Sequence, residues 1–290
     1  MNRYQIFADS TADLSAEMAS AWNVNVIPTD FILRGRTYRE FPDKREMDPS
    51  LFYSYLRGGE MPTTAVINPS RFSEYFTPVL QGGQDILYIS FSSGLSATAQ
   101  NATIAAQDLR DSYPGRTITI VDTLSVSLGA AMLVRQAAQM RDEGYDAESI
   151  KRWIEENRLR VCHWFTVDDL NHLRRGGRIT ATSALAGGVL LIKPILRVSN
   201  EGKLESVEKV RGRQTSLNRL IEHMLNDTVG SEPQTLMISH ADCLEDAQYI
   251  RDEVTKRGAA REIVISGIGA VIGTHTGPGA IAIFYYGSGR

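Results

Sequence analysis

The sequence predicts an α/β protein in two parts. An N-terminal domain (residues 1–157) carries a mainly parallel sheet flanked by helices. A C-terminal α+β domain (158–290) carries a mixed or antiparallel sheet. Three observations lead there. Strand-like and helix-like runs alternate up to about Asn157, the pattern of βαβ units. Beyond it, hairpins mix with helices, which points to antiparallel pairing. Three N-terminal strands also end in small polar residues, at Ala8-Asp9-Ser10, Ile89-Ser90-Phe91 and Val121-Asp122-Thr123. A parallel sheet would gather those ends on one edge, where α/β proteins bind ligands.

In order along the chain, Tyr4–Ala8 reads as a strand, followed by a helix to Ala21 with Asp13 or Ser15 as its cap. Val24–Pro28 is a second strand. Phe31–Leu33 and Thr37–Arg39 flank Arg34-Gly35, a hairpin signal. Asp48-Pro49 opens a helix that stops at Gly58-Gly59. Pro62–Ala65 reads as a loop and Ser70–Leu80 as a helix. Ile86–Ile89 is a buried strand leading through Ser90, Ser92, Ser93 and Gly94 into a helix starting near Leu95. Thr117–Val121 is a strand, Ser125–Glu143 a helix, and Asp146 caps another to Asn157.

In the second part, Val161–Val167 is a strand and Asp169–Arg175 a short helix closed by Gly176-Gly177. Ala181–Ile192 reads as a small-residue helix broken or ended near Gly187-Gly188. Ile195–Val198 and Lys203–Val210 form a hairpin around Asn200-Glu201-Gly202. Then come a helix (Thr215–Asp227), a strand (Thr235–His240), a helix (Leu244–Arg257) and two strands (Glu262–Ile268, Ala280–Tyr286). The last two enclose a glycine-rich loop, Gly267–Gly279.

Composition narrows the function. A net charge of −3 with no block of one sign gives no support for nucleic-acid binding. Met1–Ser10 has no apolar signal-peptide core, and the longest uncharged apolar stretch, Leu185–Ile192, is too short to span a bilayer. Two cysteines, Cys162 and Cys243, form no CxxC pair and read as packing residues. The expectation is a cytoplasmic protein without stable membrane insertion.

Several motifs bear on chemistry. Gly267-Ile-Gly269-Ala-Val-Ile-Gly273 has the wrong spacing for a dinucleotide fingerprint, and no P-loop occurs. None of the five histidines falls in a metal-binding spacing, so no metal and no cofactor is expected. His275 stands apart, set among glycines and threonines where backbone can approach a ligand closely. The serine turn Ser90–Ser96 reads equally as a helix cap or as an anion site at a helix N-terminus. Ser93, His275, and Asp9 or Asp122 supply the residue types of a hydrolase triad, although Ser93 is not in a GxSxG elbow. Arg174, Arg175, Arg178, Arg211 and Arg213 form a cationic set suited to phosphate or an acidic partner.

Taken together and in order, Asp9-Ser-Thr-Ala-Asp-Leu14, Thr63-Thr64, Ile89–Thr98, Val121-Asp122-Thr123, Leu173-Arg-Arg-Gly-Gly-Arg-Ile179, Lys193-Pro-Ile-Leu196, Val210-Arg-Gly-Arg213 and Ile272-Gly-Thr-His-Thr-Gly-Pro-Gly279 closely resemble the DegV family. These are bacterial fatty-acid-binding proteins that serve as the acyl-carrying subunit of fatty acid kinase. The resemblance implies a long-chain fatty acid buried between two domains and presented to a separate ATP-dependent kinase subunit, with Ala181–Gly188 and Val189–Ile192 as candidates for the wall of its tunnel. It implies a carboxylate held by Thr64, Ser93 and His275, with Ser92 and Thr276 beside them. Arg178 and Arg211 match arginines at the phosphate or kinase-facing surface. The chain departs from the family at Ala65-Val66-Ile67, in place of Ser-Gln-Pro, and at Ala97-Thr98-Ala99-Gln100, in place of Gly-Thr-Tyr-Gln. A carrier also makes physical sense, since each buried methylene gains roughly 0.8 kcal/mol and a buried carboxylate needs hydrogen bonds to stay ionised. The alternative function is a small-ester hydrolase using Ser93 and His275.

Overall fold

The structure is a computed structural model and describes residues 4–179, 191–228 and 232–290. It has the predicted α/β architecture, with a parallel N-terminal sheet and a mixed C-terminal sheet. β1 (Tyr4–Asp9) leads to α1 (Ala16–Ala21) and β2 (Val24–Ile27). Ser15 caps α1 by accepting from Met18 N, while Asp13 turns inward in a left-handed conformation. A hairpin follows, β3 (Asp30–Leu33) and β4 (Arg36–Arg39), then α2 (Pro49–Arg57), capped by Asp48. Residues expected to loop instead form β5 (Thr63–Ala65), because the β-branched pair Thr63-Thr64 lies against Ile32 and Phe31 of β3.

α3 (Pro69–Gln81) and β6 (Asp85–Ser90) come next. α4 (Thr98–Arg110) starts later than expected. Leu95 N and Ser96 N both bond to Ser92 O in one closed turn, and Ser96 Oγ then accepts from Thr98 N to begin the helix. β7 (Ile118–Asp122), α5 (Ser127–Asp142) and α6 (Ala147–Asn157) complete the first half. β2-β1-β6-β7 form one wholly parallel sheet, and β4-β3-β5 a small antiparallel one. The polar strand ends do gather on one edge, where Asp9 Oδ2 accepts from Phe91 N (3.1 Å) and Tyr88 OH (2.8 Å).

The second half runs β8 (Val161–Thr166), α7 (Asn171–Arg175), β9 (Ile192–Val198), β10 (Leu204–Arg211), α8 (Arg213–Asp227), β11 (Gln234–His240), α9 (Leu244–Lys256), β12 (Ala260–Gly267), α10 (Ala270–Thr276) and β13 (Ile281–Tyr286). Its sheet, in the order β10-β9-β8-β13-β11-β12, is antiparallel except for β11 beside β12. The glycine-rich segment is not a plain loop, since it contains α10. The expected small-residue helix and tunnel wall at 181–190 lies outside the described residues; Ile192, its last residue, opens β9.

One face of this sheet packs on α8 and α9. The other faces α5, whose Leu128, Met132 and Leu133 share one apolar core with Phe165, Met237 and Phe284. α5 also touches β6, so a helix from the first half of the chain is buried by sheets from both.

Candidate functional site

A cavity of about 130 Å³ opens between the inner face of the C-terminal sheet and the polar strand ends of the N-terminal one. That is room for on the order of ten water molecules. Alternate residues of β8 and β13 (His163, Phe165, Ala282, Phe284) line one side, because side chains two apart along a strand share a face. Phe91, Leu95, Ser96 and Thr98 line the opposite side, and Val271, Ile272, His275 and Thr276 of α10 roof it. The lining is mostly apolar, with a few convergent polar groups, the usual character of a small-molecule site.

Thr64 and His275 are brought together although 211 positions separate them. Thr64 Oγ1 lies 2.8 Å from His275 Nε2. β5 carries Thr64 to this point by pairing with β3, and α10 carries His275. The imidazole is held by close packing. A Cβ added to Gly176 would fall 2.2 Å from His275 Nδ1, so only glycine lets α7 approach the ring. Burial, with the nearby Arg178 guanidinium, pushes the His275 pKa down to about 4. The ring is therefore neutral at pH 7. Nδ1 is buried without a hydrogen-bond partner, which favours the proton on Nε2, where it reaches Thr64. A bare ring nitrogen costs less there than a stranded N–H.

Arg178 donates to Gly176 O and also lines the cavity. Thr64, Arg178 and His275 border a second, outer chamber of about 350 Å³ as well, which His172 and Arg175 also line. These three residues thus stand at a threshold between an apolar interior and a cationic vestibule.

The remaining predicted residues divide. Thr276 lines the cavity, but its Oγ1 is engaged with Ile272 O. Ser93 is exposed, its backbone N–H bonds to Asp122, and its side chain does not border the cavity. Ser92 is buried and donates to Gly202 O, fastening the serine turn to the β9–β10 hairpin. Gly94 sits against the same hairpin, and a Cβ there would lie 2.4 Å from Glu201 O. Of the hydroxyl residues of this turn, Ser96 and Thr98 line the cavity, with their hydroxyls 2.8 Å apart. Asn101 Nδ2 donates to Ile67 O at 2.8 Å and ties this turn to the chain leaving β5. Ala65 and Val66, the departures noted above, add apolar lining beside Thr64. Arg211 is exposed at the end of β10 and borders neither chamber, and Arg213 pairs with Asp246 and Asp168.

Sequence reasoning missed a buried polar group at the base of α10. Asp13 Oδ1 accepts from Gly269 N at 2.8 Å, and Glu40 Oε1 from Val271 N at 3.4 Å. Ser127 Oγ donates to Asp13 and lies 3.2 Å from Ser239 Oγ, and both serines line the cavity. Burial, then the Glu40 carboxylate, push the Asp13 pKa up to about 7. Asp13 takes a left-handed backbone conformation, which its neighbours in sequence do not signal. Among the described residues no group of acids, histidines and cysteines is arranged to hold a metal, and no helix is long and apolar enough to cross a membrane. Cys162 and Cys243 are free, with pKa values raised by burial to about 11 and about 12, as packing thiols would be.

Comparison with known proteins gives a consistent result. A model of the DegV family, described as an uncharacterised protein family, matches residues 3–288. A DegV domain-containing protein of Clostridium perfringens is 40% identical over 287 residues, covering 99% of this chain and 98% of the relative. A Thermus thermophilus DegV family protein, whose structure is reported as one of fatty acid binding, superposes with a TM-score of 0.88 at 30% identity, over 98% of this chain and 99% of that one. DegV of Bacillus subtilis, called a fatty acid binding protein, gives 0.85 at 28% identity over 98% and 99%.

Proposed function

The chain belongs to the DegV family, and from that premise we propose that it binds a long-chain fatty acid in the cavity and presents the carboxylate to a separate ATP-dependent fatty acid kinase. The observation that carries this reading is the Thr64–His275 pair at the threshold of an otherwise apolar cavity. The acyl chain lies inward, where each methylene removed from water contributes roughly 0.8 kcal/mol before binding costs. The carboxylate stops at the threshold. There His275 Nε2–H supports Thr64, whose hydroxyl donates to one oxygen, and Ser96 takes the place assigned above to Ser93. The other oxygen faces the outer chamber, where Arg178 and Arg175 suit an incoming phosphate. The protein supplies binding and orientation, and the kinase supplies ATP.

The hydrolase reading loses support. Its base is engaged with Thr64, and Ser93 is on the surface without a hydrogen bond to His275 among the described residues. Extraction of the purified protein and mass spectrometry test the proposal directly. A fatty acid at one per chain is expected. Its absence, together with failure to bind added palmitate, would sink the carrier reading.

A further inference from the structure

Along β8 and β13 the lining of the cavity has two ends, and they differ. The threshold lies where β8 ends and β13 begins. There Gly176, Gly277 and Gly279 are packed against His275, His172 and Asp168. From that end the lining passes Ala280, then Ala282 beside Phe165, then Phe284 beside His163. Leu204, paired with Val198 next along the sheet, borders the cavity at the same depth. Two residues further on the same faces, Val161 and Tyr286 do not border it. Ala280 to Phe284 spans four residues, about 14 Å at roughly 3.4 Å per residue.

We propose that His163, Phe284 and Leu204 form a fixed stop that sets the length of acyl chain the protein accepts. This inference rests on the carrier reading and adds to it the residues that select the ligand. The stop is rigid on three counts. A Cβ on Gly129 would lie 2.2 Å from His163 Nε2, so the first turn of α5 sits directly on the imidazole. Val126 N donates to that same nitrogen at 3.4 Å, which fixes the ring and serves a helix start that has no side-chain cap. The ring also meets Phe284 edge-on, with centroids 5.4 Å apart. An acid whose carboxylate is held at Thr64 and His275 must end its methyl group against this wall. A longer chain has to displace a side chain packed from behind by backbone.

The test compares the parent protein with His163→Ala and Leu204→Phe. Each is offered an equimolar mixture of laurate, myristate, palmitate, stearate and arachidate, and the bound acids are identified by mass spectrometry. His163→Ala deepens the cavity and should move the preferred length upward. Leu204→Phe fills the same end and should move it downward. Each methylene gained or lost should shift the ratio of neighbouring acids by about fourfold. His163→Ala strands the Val126 N–H, so its folding is to be checked by circular dichroism. Leu204 lies half-buried on an edge strand, so the phenylalanine variant decides the matter alone if the other fails to fold. Reduced binding with an unchanged length profile would overturn the stop and leave the carrier reading intact. A parent that binds none of the five acids would overturn the carrier reading itself.

Discussion

Replacing Asp13 with asparagine removes a buried titration from the base of α10, and its effect can be worked out with its sign. Asp13 is 2% exposed, accepts from Gly269 N and from Ser127, and has Glu40 beside it, with Lys44 Nζ 3.8 Å from Glu40. Its pKa rises from 3.8 to about 7, chiefly through burial. The folded state therefore keeps a proton that the unfolded chain has already released across that interval. The stability this contributes is complete below about pH 4 and is lost as pH rises through about 7. At 1.36 kcal/mol per unit the total is about 4 kcal/mol. Asparagine has nearly the same shape and can still accept from Gly269, but it does not titrate. Urea unfolding of parent and Asp13→Asn at a series of pH values from acid to slightly alkaline gives the comparison. The variant should gain on the parent progressively, by about 4 kcal/mol in all. Parallel stability curves would refute the reasoning, because they would mean that Asp13 ionises as freely in the folded protein as in the unfolded chain.

Other expectations concern the threshold and the frame around it. Gly176 has a helical φ of −71°, so Gly176→Ala is tolerated by the backbone but collides with His275; palmitate affinity should fall about tenfold and the thermal midpoint should drop as the overpacked ring is displaced, measured by fluorescence displacement and calorimetry. Ser96→Ala should weaken palmitate binding several-fold, while Ser93→Ala should leave it within about twofold; the reverse order would favour Ser93, the serine the family resemblance implies. Arg290 donates to the backbone oxygens of Val161, Leu124, Ser199 and Arg158 and to Ser125 Oγ. Arg290→Ala should cost about 3 kcal/mol in urea unfolding, since several carbonyls lose a charged donor at once.

Much of the fold was legible because its signals are local. The alternation of β1, β6 and β7 with helices, the Asp48-Pro49 start of α2 and the Asn200-Glu201-Gly202 turn each need only a few neighbouring residues. β5 was not legible, since three residues become a strand only when β3 lies beside them. α10 was hidden by its glycines, two of which answer to contacts from elsewhere. Gly269 would drive a Cβ to 2.0 Å from Glu40 Oε1, and Gly273 to 2.5 Å from Tyr53 OH. In the site, Thr64 and His275 meet although 211 positions separate them, whereas Ser93 lies away from the cavity. Ser90, Ser92, Ser93 and Ser96 crowd one turn, and only the placement of the closed turn decides which hydroxyl points inward. Gly176 and Asp13 act on residues far away in sequence, and nothing near them announces it.

The position of α5 has a consequence for how the protein is made. On a ribosome, the first half emerges while the sheet that will cover Leu128, Met132 and Leu133 has not been translated. Until β8, β11 and β13 arrive, the nascent chain carries a greasy helix sheltered by β6, α6 and the turn after β1 but open on its other face. Synthesis stalled near residue 157 would leave a sticky intermediate for chaperones to hold, and completion of the last strand, β13, would release it.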